Sequence, residues 1–186
     1  MGPAYRRLVL LAAAALLSAG LLPQALGKGR GRGGGSGGPV NPQVASICAH
    51  ARFPEVCTST TGRHASKYPV IDYRAVLNMQ VDAFAKKTAQ ARKHVSITSR
   101  GSPLLIPNLH FCDQMYEHTQ DAIKAAQRAI PFKDKGTATI MLQLAVQDFE
   151  SCDRPFISGG IPNPMGKFNT ELSQIAQNCM ALAQMI

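Results

Sequence analysis

Four stretches of this chain repeat apolar or small residues at alternating steps of four and three, which restricts the possible folds strongly. Such spacing keeps one narrow stripe of a helix facing its neighbours, whereas a strand needs a period of two. The four stripes are Leu77-Val81-Phe84-Thr88-Ala91-Val95, Leu105-Leu109-Cys112-Tyr116-Thr119-Ile123-Ala126-Ile130, Ala138-Leu142-Ala145-Phe149-Cys152-Phe156 and Phe168-Leu172-Ile175-Cys179-Leu182-Ile186. Because short connections favour antiparallel neighbours, we expect an all-α, up-down four-helix bundle.

The N-terminus has the pattern of a secretory signal peptide at residues 1–27. Arg6 and Arg7 precede an apolar run over residues 8–22, and Ala25-Leu26-Gly27 offers small residues for cleavage. A membrane anchor is the alternative, but the apolar run is shorter than a bilayer span requires. We therefore predict a secreted, extracellular protein that makes no membrane contact after signal cleavage.

Residues 28–39 read KGRGRGGGSGGP and predict a flexible linker. They contain three positive charges and no apolar side chain larger than proline. The Arg-Gly pattern resembles nucleic-acid-binding tails, but secretion removes that partner, so we expect no nucleic acid. A simple tether is the main interpretation, and weak attraction to an acidic extracellular polymer is the alternative. Residues 40–186 then form one domain.

Five cysteines follow the predicted signal peptide. Cys48 and Cys57 flank a short segment that contains Pro54, and the simplest arrangement is a helical hairpin closed by a bridge between them. Cys112 and Cys152 lie on the stripes of consecutive helices, where a Cα separation of about 5.5 Å is attainable. Because five is an odd number, at least one cysteine has no partner within the chain. We expect Cys179, also on a stripe, to be a buried free thiol that packs as a small apolar side chain.

The stripes contain no Asp, Glu, His, Lys or Arg. A carboxylate-bridged metal centre needs such groups facing inward, so we expect neither a metal nor another cofactor. His110 near Cys112 and Asp113 is an arrangement typical of a thiol nucleophile, but a bridged Cys112 has no thiolate. The chain also has no phosphate-binding Gly-rich loop after a strand and no Gly-x-Ser-x-Gly turn. The sequence predicts a binding protein and no catalytic residues.

The cysteines belong to a longer series of motifs. It consists of Ile47-Cys48, Phe53-Pro54-x-x-Cys57, Cys112-x-x-x-Tyr116 and Phe149-x-x-Cys152-x-x-x-Phe156 ahead of a final apolar helix. From Val44 to Ile186 this series resembles the plant invertase and pectin methylesterase inhibitor family. The segments 129–135 and 158–164 are most similar to the pollen-allergen-like members that are grouped with the invertase inhibitors.

The resemblance implies a four-helix bundle with an N-terminal hairpin, and bridges that join the first cysteine to the second and the third to the fourth. It implies a protein of the apoplast or cell wall that occludes the cleft of an enzyme, stoichiometrically and without covalent chemistry. Plant pectin methylesterase is the leading target, and cell-wall or vacuolar acid invertase is the alternative. A second alternative is a secreted helical protein with no enzyme target. The basic linker adds a possible weak association with pectin.

The resemblance also implies where a target would bind. Relatives that inhibit pectin methylesterase use polar and acidic positions on exposed helix faces, and the matching candidates are Gln80, Asp82, Lys86, Lys87, Glu117, Thr119, Gln120, Asp121 and Lys124. Thr119 lies on a stripe, where its hydroxyl has the alternative of bonding a carbonyl one turn back. Invertase inhibitors carry Pro-Lys-Phe before the third bundle helix. This chain has Pro131-Phe132-Lys133, the same residue types in another order, so Lys133 and Lys135 are the candidates for an invertase. For each residue the alternative is an ordinary solvated surface position.

Overall fold

The computed structural model describes residues 40–62 and 64–186, and within these residues it contains helices and no strand. The predicted signal peptide and linker lie outside the described residues. The described residues form six α-helices, which are α1 (Pro42–Cys48), α2 (Pro54–Thr61), α3 (Tyr73–Gly101), α4 (Ile106–Ala129), α5 (Lys135–Ser158) and α6 (Gly166–Ala183). Single 3-10 turns precede α3, α4 and α5, at Ala65–Lys67, Pro103–Leu105 and Ile130–Phe132.

Helices α3 to α6 form an up-down four-helix bundle, which confirms the predicted fold class. α4 packs between α3 and α5, and α6 packs against both α5 and α3. The antiparallel order is visible in two contacts. Cys112 near the start of α4 is bridged to Cys152 near the end of α5, and the rings of His94 in α3 and Phe168 in α6 lie 5.0 Å apart.

The predicted stripes make up the bundle core. Every stripe residue within the four helices is buried except Phe168, which packs against the core together with the terminal residues Leu105 and Ile186. The rings of Phe84 and Phe149 meet edge to face at 6.0 Å between centroids, a favoured aromatic geometry. The period read from the sequence therefore placed the core side chains on the correct faces.

Polar side chains and prolines fix the helix starts. Asn41, Asp72 and Asp134 each accept a hydrogen bond from a backbone N–H of the first turn that has no partner within its helix. Pro42 and Pro54 occupy first-turn positions, where the missing N–H costs no hydrogen bond. These local signals explain why α1, α2, α3 and α5 begin where they do.

The N-terminal hairpin is joined covalently and by hydrogen bonds. Cys48 and Cys57 form a disulfide with their Cα atoms 5.5 Å apart. Asn178 of α6 accepts from the backbone N–H of Phe53 (2.7 Å) and donates to the carbonyl of the same residue (2.9 Å). The hairpin is thereby held against the last helix of the bundle.

A polar network lies inside the bundle beside the second disulfide. The hydroxyl of Tyr116, the aromatic residue of the third cysteine motif, donates to Asn169, and Asn169 in turn donates to Asp153. Burial raises the pKa of Tyr116 above its ordinary value, so its phenol stays a hydrogen-bond donor. The network ties α4, α5 and α6 together and is structural.

Cys179 is fully buried in α6 and is a free thiol. Burial raises its pKa well above the ordinary value, so the thiol is protonated and apolar in character. Among the described residues, none of the helices is both long and apolar enough to cross a membrane.

Candidate functional site

Gln80 was expected on an exposed face of α3, and the structure shows that this expectation was wrong. Its side chain is fully buried, and its Nε2 donates to the carbonyl of Cys57 (3.0 Å) and to the hydroxyl of Thr60. The reason is that α2 packs over this part of α3. Gln80 therefore anchors the N-terminal hairpin and is not available to a partner.

Thr119 is likewise buried, so its inclusion among the exposed target contacts was also wrong. Its hydroxyl donates to Oδ2 of Asp148 on α5 at 3.1 Å, and not to a carbonyl of its own helix. Burial raises the pKa of Asp148, and the hydrogen bond from Thr119 opposes that shift only in part. The pair links α4 to α5.

Lys87 faces a different helix from the other α3 candidates. Its ammonium group lies 2.7 Å from Glu171 of α6 and 5.4 Å from the centroid of the Phe168 ring. Asp82, in contrast, accepts from Nε2 of Gln127 on α4 at 3.3 Å. Lys87 and Asp82 therefore face different neighbours, α6 and α4 respectively.

A polar network on the surface joins α3 to α4. Arg92 donates to both carboxylate oxygens of Asp113, at 2.8 and 2.9 Å, and to Oε1 of Gln120 at 3.0 Å. Glu117 lies 4.0 Å from the same guanidinium and is largely exposed. The hydrogen bond to Asp113, together with the negative charges of Asp113 and Glu117, raises the pKa of Arg92. A planar guanidinium that bonds two carboxylate oxygens at once has little freedom to rotate.

We call this surface the α3–α4 face and define it by residues that bond or approach one another across the two helices. These residues are Asp82, Arg92, Asp113, Glu117, Gln120 and Gln127. The sequence predicted Asp82, Glu117 and Gln120 as target contacts, but not Arg92, Asp113 or Gln127. A usable signal was present, because Arg92 and Asp113 directly follow the stripe residues Ala91 and Cys112 and so border the seam.

The remaining α3 and α4 candidates are exposed beside this face. Lys86 lies one helical turn from Asp82. Asp121 accepts from Nζ of Lys124 at 2.9 Å, and this hydrogen bond lowers the pKa of Asp121. The carboxylate of Asp121 therefore stays ionised further into the acid range than an ordinary aspartate.

The candidates in the connection between α4 and α5 occupy the opposite end of the bundle from the Arg92–Asp113 pair. Phe132 is 84% exposed, and Lys133 is exposed with φ of 56°, in the left-handed region. Lys135 donates from Nζ to the carbonyl of Gln184 at 2.8 Å, which ties this connection to the end of α6. Phe132 and Lys133 are thus presented to solvent, whereas Lys135 has a structural contact.

The described residues offer little for catalysis. No group of three or more His, Cys, Asp and Glu side chains in this part of the chain could hold a metal ion. The disulfide of Cys112 removes the thiolate that a nucleophile beside His110 would need. The arrangement that remains is a polar surface supported by hydrogen bonds between helices, which is suited to binding.

Comparison with known proteins gives a consistent picture. The model of the family described as plant invertase/pectin methylesterase inhibitor matches residues 42–182. The fold is similar to that of a mutant form A of a pectin methylesterase inhibitor from Arabidopsis, with 13% identity, a TM-score of 0.63, and coverage of 78% of this chain and 98% of that one. A second similar structure, a pectin methylesterase inhibitor from Arabidopsis thaliana, has 13% identity, a TM-score of 0.57, and coverage of 77% and 95%. A comparison with curated protein sequences found no match.

Proposed function

The chain belongs to the plant invertase/pectin methylesterase inhibitor family, and from this premise we propose that it inhibits a plant pectin methylesterase by covering the enzyme's cleft. The esterase is favoured because both similar structures described above are pectin methylesterase inhibitors. The observation that carries the proposal is the α3–α4 face, a polar surface held in place by bonds between two long helices.

The geometry of that face suits a stoichiometric inhibitor. Arg92 holds Asp113 and Gln120 in fixed positions, while Glu117 projects beside them into solvent. A surface that is already ordered loses less conformational entropy when a partner binds, so more of the contact energy appears as affinity. No step in this scheme makes or breaks a covalent bond, so inhibition is reversible.

Titration of a pectin methylesterase with the protein tests the proposal. We expect activity to fall to a plateau near one inhibitor per enzyme and to return on dissociation. The variant Glu117→Lys/Asp121→Lys reverses two exposed charges on α4 and should weaken inhibition at least about tenfold, since like charges across an interface cost several kcal/mol. The matched control is Glu55→Lys/Glu150→Lys, which makes the same change of net charge on α2 and α5 and should inhibit like the parent.

Two results would contradict this scheme in different ways. If the α4 variant folds and inhibits like the parent, α4 is not the contact surface. If the parent inhibits no esterase, the choice of target is wrong.

Acid invertase is the second candidate target, favoured by the exposed pair Phe132 and Lys133. Phenylalanine is enriched at protein interfaces, and the ring of Phe132 is exposed beside the cation of Lys133. The variant Phe132→Ser/Lys133→Gln should abolish inhibition of an invertase if this pair binds it, and should leave inhibition of an esterase through the α3–α4 face intact. Inhibition of neither enzyme would favour a secreted helical protein without an enzyme target.

We also propose that the protein acts in the cell wall. This is supported by the signal-peptide pattern of residues 1–27 and by two disulfides, which persist in oxidising compartments. The three cations in residues 28–39 support an additional, weak association with pectin through charge attraction.

A further inference from the structure

One end of the bundle exposes several large aliphatic side chains. We call it the aliphatic end and define it by residues 96–112 and 154–170, the segments around the α3–α4 and α5–α6 connections. Its exposed aliphatic residues are Ile97, Leu104, Ile106, Ile157 and Ile161. Leu104 is 94% exposed on the 3-10 turn before α4, and Ile157 is 77% exposed in the last turn of α5. Apolar surface that is grouped in this way commonly marks a binding site.

The two segments lie at the same end of the molecule. The Cys112–Cys152 disulfide joins the start of α4 to the end of α5, and the contact between His94 and Phe168 joins the last part of α3 to the start of α6. The exposed aliphatic residues therefore share one end of the bundle, although they come from different parts of the sequence.

The exposed charges at this end are mainly positive. Residues 96–112 and 154–170 contain no Asp and no Glu, but they contain the exposed cations Arg100, Arg154 and Lys167. Within the described residues, Arg154 and Lys167 form no ion pair, and Arg100 bonds only to the carbonyl of Ser96 in its own helix. Three acidic residues border these segments. Asp113 is paired with Arg92 and Glu171 with Lys87, whereas Asp153 accepts hydrogen bonds from Asn163 and Asn169 and forms no ion pair among the described residues. The three exposed cations therefore outnumber the one unpaired carboxylate at this end.

We propose that the aliphatic end docks on a lipid surface that carries anionic headgroups. Aliphatic side chains at the tip gain free energy by entering the boundary between headgroups and acyl chains. Lysine and arginine beside them are attracted to anionic headgroups, and this attraction decays within a Debye length of the surface. A lipid surface is a partner that the sequence did not predict, and this docking does not depend on the identity of the enzyme target.

The same features disfavour two other occupants. A second copy of the chain, docked through the same end, would bring two sets of unpaired cations together. A polyuronate would satisfy Arg154 and Lys167, but it has no hydrocarbon layer in which Leu104 and Ile157 could be buried. A lipid interface accommodates both the cations and the aliphatic side chains.

Sedimentation with vesicles tests this proposal, using the full protein as it is recovered from a secreting host. We expect binding to vesicles of phosphatidylcholine with 30 mol% phosphatidylserine to exceed binding to phosphatidylcholine alone, and to fall with added salt. The variant Leu104→Ser/Ile157→Ser keeps every charge and should lower the partition coefficient about tenfold. The matched control, Val70→Ser/Ile140→Ser, removes exposed aliphatic residues elsewhere and should bind like the parent.

A second pair of variants tests the cations. Arg154→Gln/Lys167→Gln should lower binding to the anionic vesicles about tenfold. Arg74→Gln/Lys133→Gln removes two exposed cations at the opposite end of the bundle, where α3 begins, and should have a much smaller effect. Residues 28–39 are identical in all these proteins, so their charges do not affect the comparison.

Three outcomes would overturn the proposal. The first is that the Leu104/Ile157 variant binds vesicles like the parent while its melting temperature is unchanged. The second is binding to polygalacturonate that needs Arg154 and Lys167 but not Leu104 and Ile157, with no binding to vesicles. The third is a parent dimer in sedimentation equilibrium that becomes a monomer in the Leu104/Ile157 variant.

Discussion

The folded environment of Asp148 destabilises the ionised form of its carboxyl group. It is partly buried on α5 and accepts one hydrogen bond, from Thr119. Because burial raises its pKa, the folded state holds the proton more strongly than the unfolded chain does. The folded protein therefore loses stability as the pH rises from the ordinary aspartate range, near 3.9, through the raised value. Below that range both states are protonated and the effect vanishes.

The variant Asp148→Asn should accordingly raise the melting temperature at pH 7 and change it little at pH 3.5. The amide keeps an oxygen that can accept from Thr119, so the hydrogen bond is retained. Asp121→Asn is a control of opposite sign, since the pKa of Asp121 is lowered by Lys124, and it should give no gain at pH 7. Calorimetry of the three proteins across this pH range measures the effect. An equal gain from Asp148→Asn at both pH values would contradict the assignment.

At this scale the sequence predicted burial within the bundle but not the contacts of individual polar residues. Gln80 does not belong to the stripe of α3, so it was expected in solvent, but it is buried under the N-terminal hairpin. The helical period predicts which face of α3 meets the bundle, and it contains no information about the hairpin that packs on another face. Arg92 and Asp113 pair across two helices that are 21 residues apart in sequence at this point. Such a pairing depends on how the two helices are rotated about their axes, which single-sequence reasoning does not provide.

At the scale of elements, most of the architecture was predictable. The stripes identified four helices and their buried faces, since spacing of four and three allows only one face of a helix to meet its neighbours. The positions of Cys112 and Cys152 on consecutive stripes agree with the bridge that the structure contains. The three 3-10 turns were not foreseen. Each is a short connection with little periodicity, shaped by its neighbouring helices.

The two disulfides should contribute differently to stability. The bridge Cys112–Cys152 closes a separation of 40 residues, whereas Cys48–Cys57 closes 9. By the chain-entropy relation, their removal costs about 4 and about 3 kcal/mol respectively. We expect Cys112→Ala/Cys152→Ala to lower the melting temperature by roughly 10 °C and Cys48→Ala/Cys57→Ala by somewhat less. Thermal unfolding of both variants decides this, and a larger loss from the hairpin bridge would show that the hairpin organises the bundle.

At the scale of the whole molecule, the sequence divides the chain into a linker and a folded domain. Residues 28–39 contain no side chain able to join a core, so their deletion should leave the melting temperature of the protein nearly unchanged. A fall of more than about 4 °C, which corresponds to roughly 1–2 kcal/mol for a domain of this size, would indicate that the segment docks on the bundle. Replacement of the segment by a Gly-Ser linker of equal length separates loss of charge from loss of length.

The contact between Phe53 and Asn178 has a consequence for the order in which the protein is made. The two residues are 125 positions apart, yet the side chain of Asn178 in α6 accepts from the backbone N–H of Phe53 and donates to its carbonyl. A ribosome therefore releases the hairpin long before the helix that completes it. During translation the hairpin is soon followed by α3, whose Gln80 bonds the carbonyl of Cys57, but Asn178 is synthesised only near the end of the domain. The contacts of the hairpin with α3 are therefore available early, whereas the polar groups of Phe53 gain their partner only with the last helix.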